Sequence, residues 1–255
     1  VDDSASKTKG FMWVIVACFL AVLFVFGLSP LAHAIPWSWE TKLATVLNSS
    51  SSQQKYIDNP QAEILLQKIV HRIYPLDAHD RDFTIDVHII RDKQINAHTE
   101  LGGKILINSG LISQAESPEE VAGVLAHEIG HVQHRDILKG LIAYFFSEES
   151  IKMIFSGKYM FMADLSQYIF NMNFTRAQEA AADKGALLRL QEAHVDNHGF
   201  RDFFARMAKL DASSTFLSDH PSDRSRFDVA ESVKNQNVKP VLTAEEWKIL
   251  KADYS

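Results

Sequence analysis

The stretch SPEEVAGVLAHEIGHVQH, from Ser117 to His134, decides how this chain is read. Ser117 is placed to cap a helix, Pro118 suits the first helical position, and Glu120 stands three residues past the cap, where a glutamate closes a capping box. Behind this start Val121, Leu125, Ile129 and Val132 recur at helical spacing and fill one arc of the wheel, with His127 and His131 at its border. The pattern predicts a buried amphipathic helix with two imidazoles along one edge. Gly123 and Gly130 leave another flank bare at about 1 kcal/mol each in helix propensity. A second backbone, or a substrate, is expected to approach closely there.

Residues four apart on a helix have Cβ atoms about 5–6 Å apart. His127 and His131 can therefore converge on one ion, each at about 2 Å. Glu128 lies about 100° around the axis, badly placed as a ligand but close enough to reach a metal-held water. Two ligands and a base, in His127-Glu128-Ile129-Gly130-His131, form the division of labour of metal-assisted hydrolysis. Composition narrows the ligands further. The chain has 11 His but one Cys, so it has no intrachain disulfide and no site built on two or more thiolates. A tightly held metal must use His and carboxylates. His194-Val195-Asp196-Asn197-His198 repeats the spacing without the Glu, runs into Gly199, read as a helix end, and is expected to be a surface pair. His134 shares a face with His131 and reads as a surface residue or a partner of a ligand.

Across 255 residues, 26 Lys plus Arg stand against 32 Asp plus Glu, with 46% hydrophobic and 23% charged residues. This describes a folded chain with one sizeable core. Its acidic balance excludes a broad phosphate-binding face, so no nucleic-acid partner is expected. Upstream of the central helix, Gln61 to Tyr74 carries Ile64, Leu65, Ile69 and Val70 at helical spacing. Between Phe83 and Asn108 the period changes to two. Phe83, Ile85, Val87 and Ile89 alternate with polar residues, Asp92-Lys93 turns the chain into Gln94 to Glu100, and Gly102-Gly103 turns it into Lys104 to Asn108. This predicts a small antiparallel meander. Downstream the chain reads mostly helical to a last helix signalled by Thr243-Ala244-Glu245-Glu246. The expected fold is α+β, a mostly helical domain over residues 35–255 with a small antiparallel sheet.

Phe11 to Leu28 runs 18 residues without a charge, just long enough to span a bilayer. One transmembrane helix is expected over residues 11–30. Lys7 and Lys9 precede it, so residues 1–10 read as a cytoplasmic stub and everything after Pro30 as lying across the membrane. Ala32-His33-Ala34 has the look of a signal-peptidase site, but the apolar run exceeds the usual signal core of ~7–15 residues. Ile15 to Cys18 has the look of a lipoprotein box, yet apolar residues continue beyond Cys18. Val1 in place of Met suggests a missing upstream region. Trp37 and Trp39 suit a membrane–water interface or, equally, a helix start with buried aromatics. Leu141 to Phe146 and Ile151 to Met162 are apolar but too short and too interrupted by charge to span; they read as a membrane-facing or occluding flap, or as ordinary core packing.

A catalytic zinc needs a third protein ligand and an open position. Glu179 and Asp183, four apart on an Ala-lined segment, offer carboxylates, although the residues alone fit a solvated face of ion pairs equally well. Taken together, His127-Glu128-x-x-His131, Arg176-x-x-Glu179-x-x-x-Asp183 and His220-Pro221 resemble the membrane-associated gluzincin peptidases. That family includes the HtpX heat-shock protease, the CAAX prenyl protease and periplasmic and mitochondrial quality-control relatives. Pro36 with Glu40, Asn96-Ala97, Gly102-Gly103, Gly110-Leu111 and Glu246-Trp247 are similar too.

The resemblance implies a zincin-like fold with one zinc ion per chain on His127, His131 and Glu179. It implies Glu128 as the catalytic base, with Asp183, Arg176 and Arg226 supporting the ligands. It brings His220 near the metal, as a donor to the oxyanion or as occupant of the open position in a latent state. Substrate is expected to lie extended along Gln94 to Glu100, at Asn96, Ala97 and His98; His98 departs from the aromatic residue that family members often carry there. The implied protein is a single-pass bacterial inner-membrane protease with its catalytic domain on the periplasmic side, acting on misfolded or unassembled envelope proteins. The alternative is a membrane-tethered, zinc-stabilised chaperone or assembly partner with a plugged site. A prenyl-protein enzyme is disfavoured, because one span cannot enclose a lipid-lined chamber. The sequence gives no oligomeric state.

Overall fold

The computed structural model describes residues 29–48, 55–75, 83–147, 171–209 and 237–252, together with residues 165, 168, 169, 220 and 254. The expected span at 11–28, the stretch Ile151 to Met162 and Arg226 lie outside the described residues. Among the described residues no helix is long and apolar enough to cross a membrane.

The elements in chain order are α1 (Ser29–Ala34), α2 (Trp37–Asn48), α3 (Pro60–Ile73), β1 (Asp86–Ile90), β2 (Ala97–Thr99), β3 (Lys104–Asn108), α4 (Ser109–Gln114), α5 (Pro118–His134), α6 (Asp136–Phe145), α7 (Arg176–Glu192), α8 (His198–Lys209) and α9 (Ala244–Ala252). The central helix α5 starts as its sequence indicates: the Ser117 side chain accepts from the Glu120 N–H at 3.2 Å. Its box closes one residue earlier than expected, because Glu120 Oε2 accepts from the Glu116 N–H at 2.9 Å and also pairs with Arg206. Every residue from Glu120 to Val132 is buried.

What fills the bare flank of α5 is protein backbone. A Cβ on Gly130 would lie 2.8 Å from Ala182 Cα of α7, and one on Gly123 would lie 2.8 Å from Phe200 Cα of α8. Both helices thus pack on α5 at a distance that only glycine allows. The His194–His198 pair is exposed, as expected. Gly199, however, does not end a helix; it sits in the first turn of α8 against the backbone of Glu119.

The sheet corrects the expected antiparallel meander. Its order is β1-β3-β2, with β1 parallel to β3 and β2 antiparallel to β3. The cause lies at Asp92, whose carbonyl accepts from Gly110 N at 2.8 Å and from Ser109 Oγ at 2.9 Å. These bonds carry the chain across the end of β3, so that β2 descends on its far side. Gly110 permits the crossing, since a Cβ there would meet the Lys93 carbonyl oxygen at 2.2 Å. The second predicted turn holds: Gly102 and Gly103 take φ of 80° and 88°, a region that side chains disfavour, and link β2 to β3.

Ile85, Val87, Ile89, Ile105 and Ile107 join α3, α5, α7 and α8 in the main core. A second cluster joins α1, α2 and α6 through Ala32, Leu47, Ile137, Leu141 and Phe174. Leu141 and Ile142 are buried in it, while Phe145 and Phe146 are exposed. The two tryptophans divide: Trp37 stacks on Phe83 with centroids 4.0 Å apart, and Trp39 faces solvent. The last helix carries the expected cap, with Glu246 Oε2 accepting from Thr243 N and Thr243 Oγ1 accepting from Glu246 N.

Candidate metal centre

The Gly130–Ala182 contact brings α7 against the edge of α5 that carries the histidines. Thr175 fixes where α7 begins, through a closed capping box with Gln178. One turn further on, Glu179 reaches the histidines. His127 Nε2 lies 3.4 Å from Glu179 Oε2, His131 Nε2 lies 3.4 Å from Glu179 Oε1, and the two Nε2 atoms are 3.1 Å apart. All three side chains are buried.

The outer nitrogens fix the rings. His127 Nδ1 lies 2.8 Å from Asp183 Oδ1, and His131 Nδ1 lies 2.9 Å from Asp136 Oδ2. A carboxylate accepts, so each Nδ1 donates and each Nε2, once its own proton is gone, turns a lone pair inward. Two lone pairs and a carboxylate facing one another in a buried space call for a cation. Donors at about 2.0–2.1 Å from a tetrahedral ion stand about 3.3–3.4 Å from one another, close to the separations found here. The donor set fits zinc.

The electrostatics agree with this fit. Burial pushes His127 down, but its hydrogen bonds to Asp183 and Glu179 outweigh that and carry its pKa up to about 9. His131 is also raised: burial opposes, and the bonds to Asp136 and Glu179 prevail. Burial disfavours the Glu179 carboxylate, yet its bonds to His127, His131 and His220 hold it far below the usual carboxylate range. The centre is a region of concentrated negative potential, which attracts protons or a metal ion.

His220 completes the cluster. Its Nδ1 lies 3.1 Å from Glu179 Oε1 and 3.2 Å from His127 Nε2, and its side chain is buried. One ligand atom from each of His127, His131, Glu179 and His220 falls within 4.8 Å of the others. Glu128 stands outside this set. Thr99 of β2 donates to Glu128 Oε2 at 2.9 Å, while Glu128 Oε1, also buried, has no hydrogen-bond partner among the described residues. That oxygen faces His220 Nε2 at 3.6 Å.

Of the other residues singled out from sequence, Asp183 sits on His127 as a ligand's partner should. Arg176 is exposed on the first turn of α7. Asn96 and Ala97 are buried and His98 is partly exposed. β2 pairs with β3 along one edge, and its other edge meets no strand among the described residues. His134 takes no part in the donor cluster.

Sequence reasoning missed Asp136, Thr99 and Phe174, whose ring stacks on His131 with centroids 3.9 Å apart. Asp136 carried one faint signal, a carboxylate just past the end of a metal-binding helix. Thr99 and Phe174 carried none, since tertiary packing alone brings them in.

Residues 60–234, more than half of the chain, match the model for peptidase family M48. The putative beta-barrel assembly-enhancing protease of Vibrio cholerae is 27% identical over 170 residues, covering 62% of this chain and 35% of that protein. The mitochondrial metalloendopeptidase OMA1 of Arabidopsis thaliana is 30% identical over 155 residues, covering 58% and 31%. The metalloprotease LoiP of Escherichia coli is 26% identical over 151 residues, covering 56% and 60%. The match spans about a third of the length of the first two relatives.

Proposed function

The chain belongs to peptidase family M48; on that premise we propose that it is a zinc metalloprotease, an endopeptidase cutting misfolded or unassembled membrane and envelope proteins. The observation that carries the mechanism is the buried Glu128 oxygen without a hydrogen-bond partner among the described residues, facing His220 and next to a complete donor set but outside it. A purely structural zinc site has no use for such a group.

His127, His131 and Glu179 would hold zinc, which would supply a Lewis acid for the scissile carbonyl and lower the pKa of the attacking water. Glu128 Oε1 takes the proton from that water and passes it to the leaving amine. Thr99 holds the other oxygen still and so aims the free one. Asp183 and Asp136 keep both imidazoles in the ligating tautomer. Substrate main chain lies extended along β2 at Asn96, Ala97 and His98, which favours extended, unfolded segments over any one side-chain sequence. Arg226 keeps its ligand-supporting role from the family pattern alone, and Arg176, exposed on the first turn of α7, is given no part in the mechanism. The names of two relatives, which speak of β-barrel assembly and of mitochondria, support membrane-associated substrates. The apolar run Phe11 to Leu28 supports a single inner-membrane span with the catalytic domain on the periplasmic side.

The test is reconstitution. Treating the full chain with a chelator is expected to abolish cleavage of unfolded casein, and one equivalent of zinc to restore it. Casein cleavage that persists after the metal is gone would overturn the reading.

One observation favours a second reading, a latent or plugged site. His220 supplies a fourth protein donor, and closed four-donor zinc sites are structural rather than catalytic. In this arrangement the imidazole occupies the place of water. His220→Ala is expected to raise basal casein cleavage several-fold. A fall of about 10²-fold or more would instead assign the ring to the oxyanion, the size of effect seen when one such donor is removed.

A further inference from the structure

The junction between α5 and α6 contains one residue, Arg135, with φ 55° and ψ 40°. Its N–H caps α5 on the His131 and Val132 carbonyls, and its own carbonyl accepts the first bond of α6, from Lys139 N at 2.9 Å. This left-handed turn doubles the chain back so that Asp136 lies under His131. Glycine adopts such a conformation freely, and a long side chain does not. Helix termination alone therefore gives no reason for an arginine here.

The side chain gives one. It is buried; Nε and Nη1 make its hydrogen bonds, while Nη2 stands 2.8 Å from Glu40 Oε2 as an ion pair without a hydrogen bond among the described residues. Nε donates to Glu40 Oε2 at 2.8 Å, and Nη1 donates to the Ala32 carbonyl at 2.7 Å and to that of Ile35. The plane sits over the Trp37 ring, 4.3 Å from its centroid. Glu40 in turn accepts from the Gly102 N–H, beside the turn into β3. One residue thus ties the end of the metal-binding helix to α1, to α2 and to the sheet.

We propose that Arg135 is a positioning residue for the metal: it clamps the α5–α6 turn to the N-terminal helices and thereby holds the Asp136 carboxylate against His131. The metal affinity of the centre is accordingly coupled to α1 and α2, which carry no ligand. The inference rests on zinc occupying the His127–His131–Glu179 site. Failure of that reading appears in the parent protein, which would bind no zinc; failure of the inference appears only in the variants.

The experiment is a double-mutant cycle on the full chain, with the zinc dissociation constant read by chelator competition. Arg135→Gly keeps the backbone turn and removes the clamp, so it is expected to weaken zinc binding about 10- to 100-fold, the usual cost of losing a ligand's outer partner. Asp136→Ala is expected to fall in the same range. The double variant is expected to be no weaker than Asp136→Ala alone, because Arg135 acts through Asp136. Arg135→Lys, which keeps the charge but loses the fork, should fall between parent and Arg135→Gly. If Arg135→Gly does not fold, Glu40→Gln replaces it in the same cycle. Zinc affinity within about twofold of the parent, or losses that multiply in the double variant, would overturn the proposal.

Discussion

Glu128→Gln is expected to lower kcat/KM for unfolded casein by about 10²- to 10⁴-fold, the range set by loss of a positioned general base. Zinc content should stay at that of the parent. The amide has the shape of the carboxylate, and its oxygen still accepts from the Thr99 hydroxyl, which now meets Glu128 Oε2 at 2.9 Å. The group that changes is the oxygen that makes no hydrogen bond among the described residues, which no longer takes a proton. Because Glu128 lies outside the donor cluster, its replacement leaves the ligands in place. Parent-level cleavage by a zinc-loaded Glu128→Gln protein would refute the base assignment and favour a non-proteolytic, zinc-stabilised role.

Glu179→Ala is expected to weaken zinc binding more than about 100-fold, beyond what loss of an outer partner costs. Metal analysis after dialysis and an equilibrium competition assay read the effect. The carboxylate is the negative charge that faces His127, His131 and His220, and alanine leaves three imidazoles converging on nothing. A pH signature accompanies the loss. Despite burial, bonds to Asp183 and Glu179 raise His127 in the metal-free fold to about 9, against the 6.5 usual for an imidazole. Its contribution to metal-free stability is therefore fully present below about pH 6.5 and is lost as pH rises through about 9. Zinc competes with that proton, so the rise in Tm produced by zinc in the parent grows across the same window. In Glu179→Ala the growth should flatten, since one of the two groups that raise His127 is gone. Parent-like zinc content in this variant would remove Glu179 from the ligand set.

The central helix and its chemistry were legible because they are local. A cap, an apolar period and two His four apart lie within Ser117 to His134, and the structure keeps all three. The bare glycines were legible as a demand for close approach, although only the fold identifies Ala182 and Phe200 as what approaches. Sheet order was not legible. Alternation at Val87 and Ile89 predicts a strand and its buried face, but it is silent on which neighbour the strand joins. Here bonds from Ser109 and Gly110 to Asp92 send β2 past β3. His220 has no periodicity around it and entered through resemblance alone. Asp136 depends on one residue's left-handed backbone, which arginine at position 135 gives no reason to expect.

The contact of Gly130 with Ala182 carries a consequence for how this chain can change length. Glu179 is registered to His127 and His131 by backbone against backbone, where Ala182 of α7 meets Gly130 of α5. The entropy of closing a loop grows only slowly with the number of residues in it. Changes of length between α6 and Leu165, short of the contacts made by Phe174 and Thr175, should therefore disturb the metal geometry less than changes within α5 or α7. That stretch is open ground on which new reach, new surfaces or new recognition can be tried without rebuilding the site.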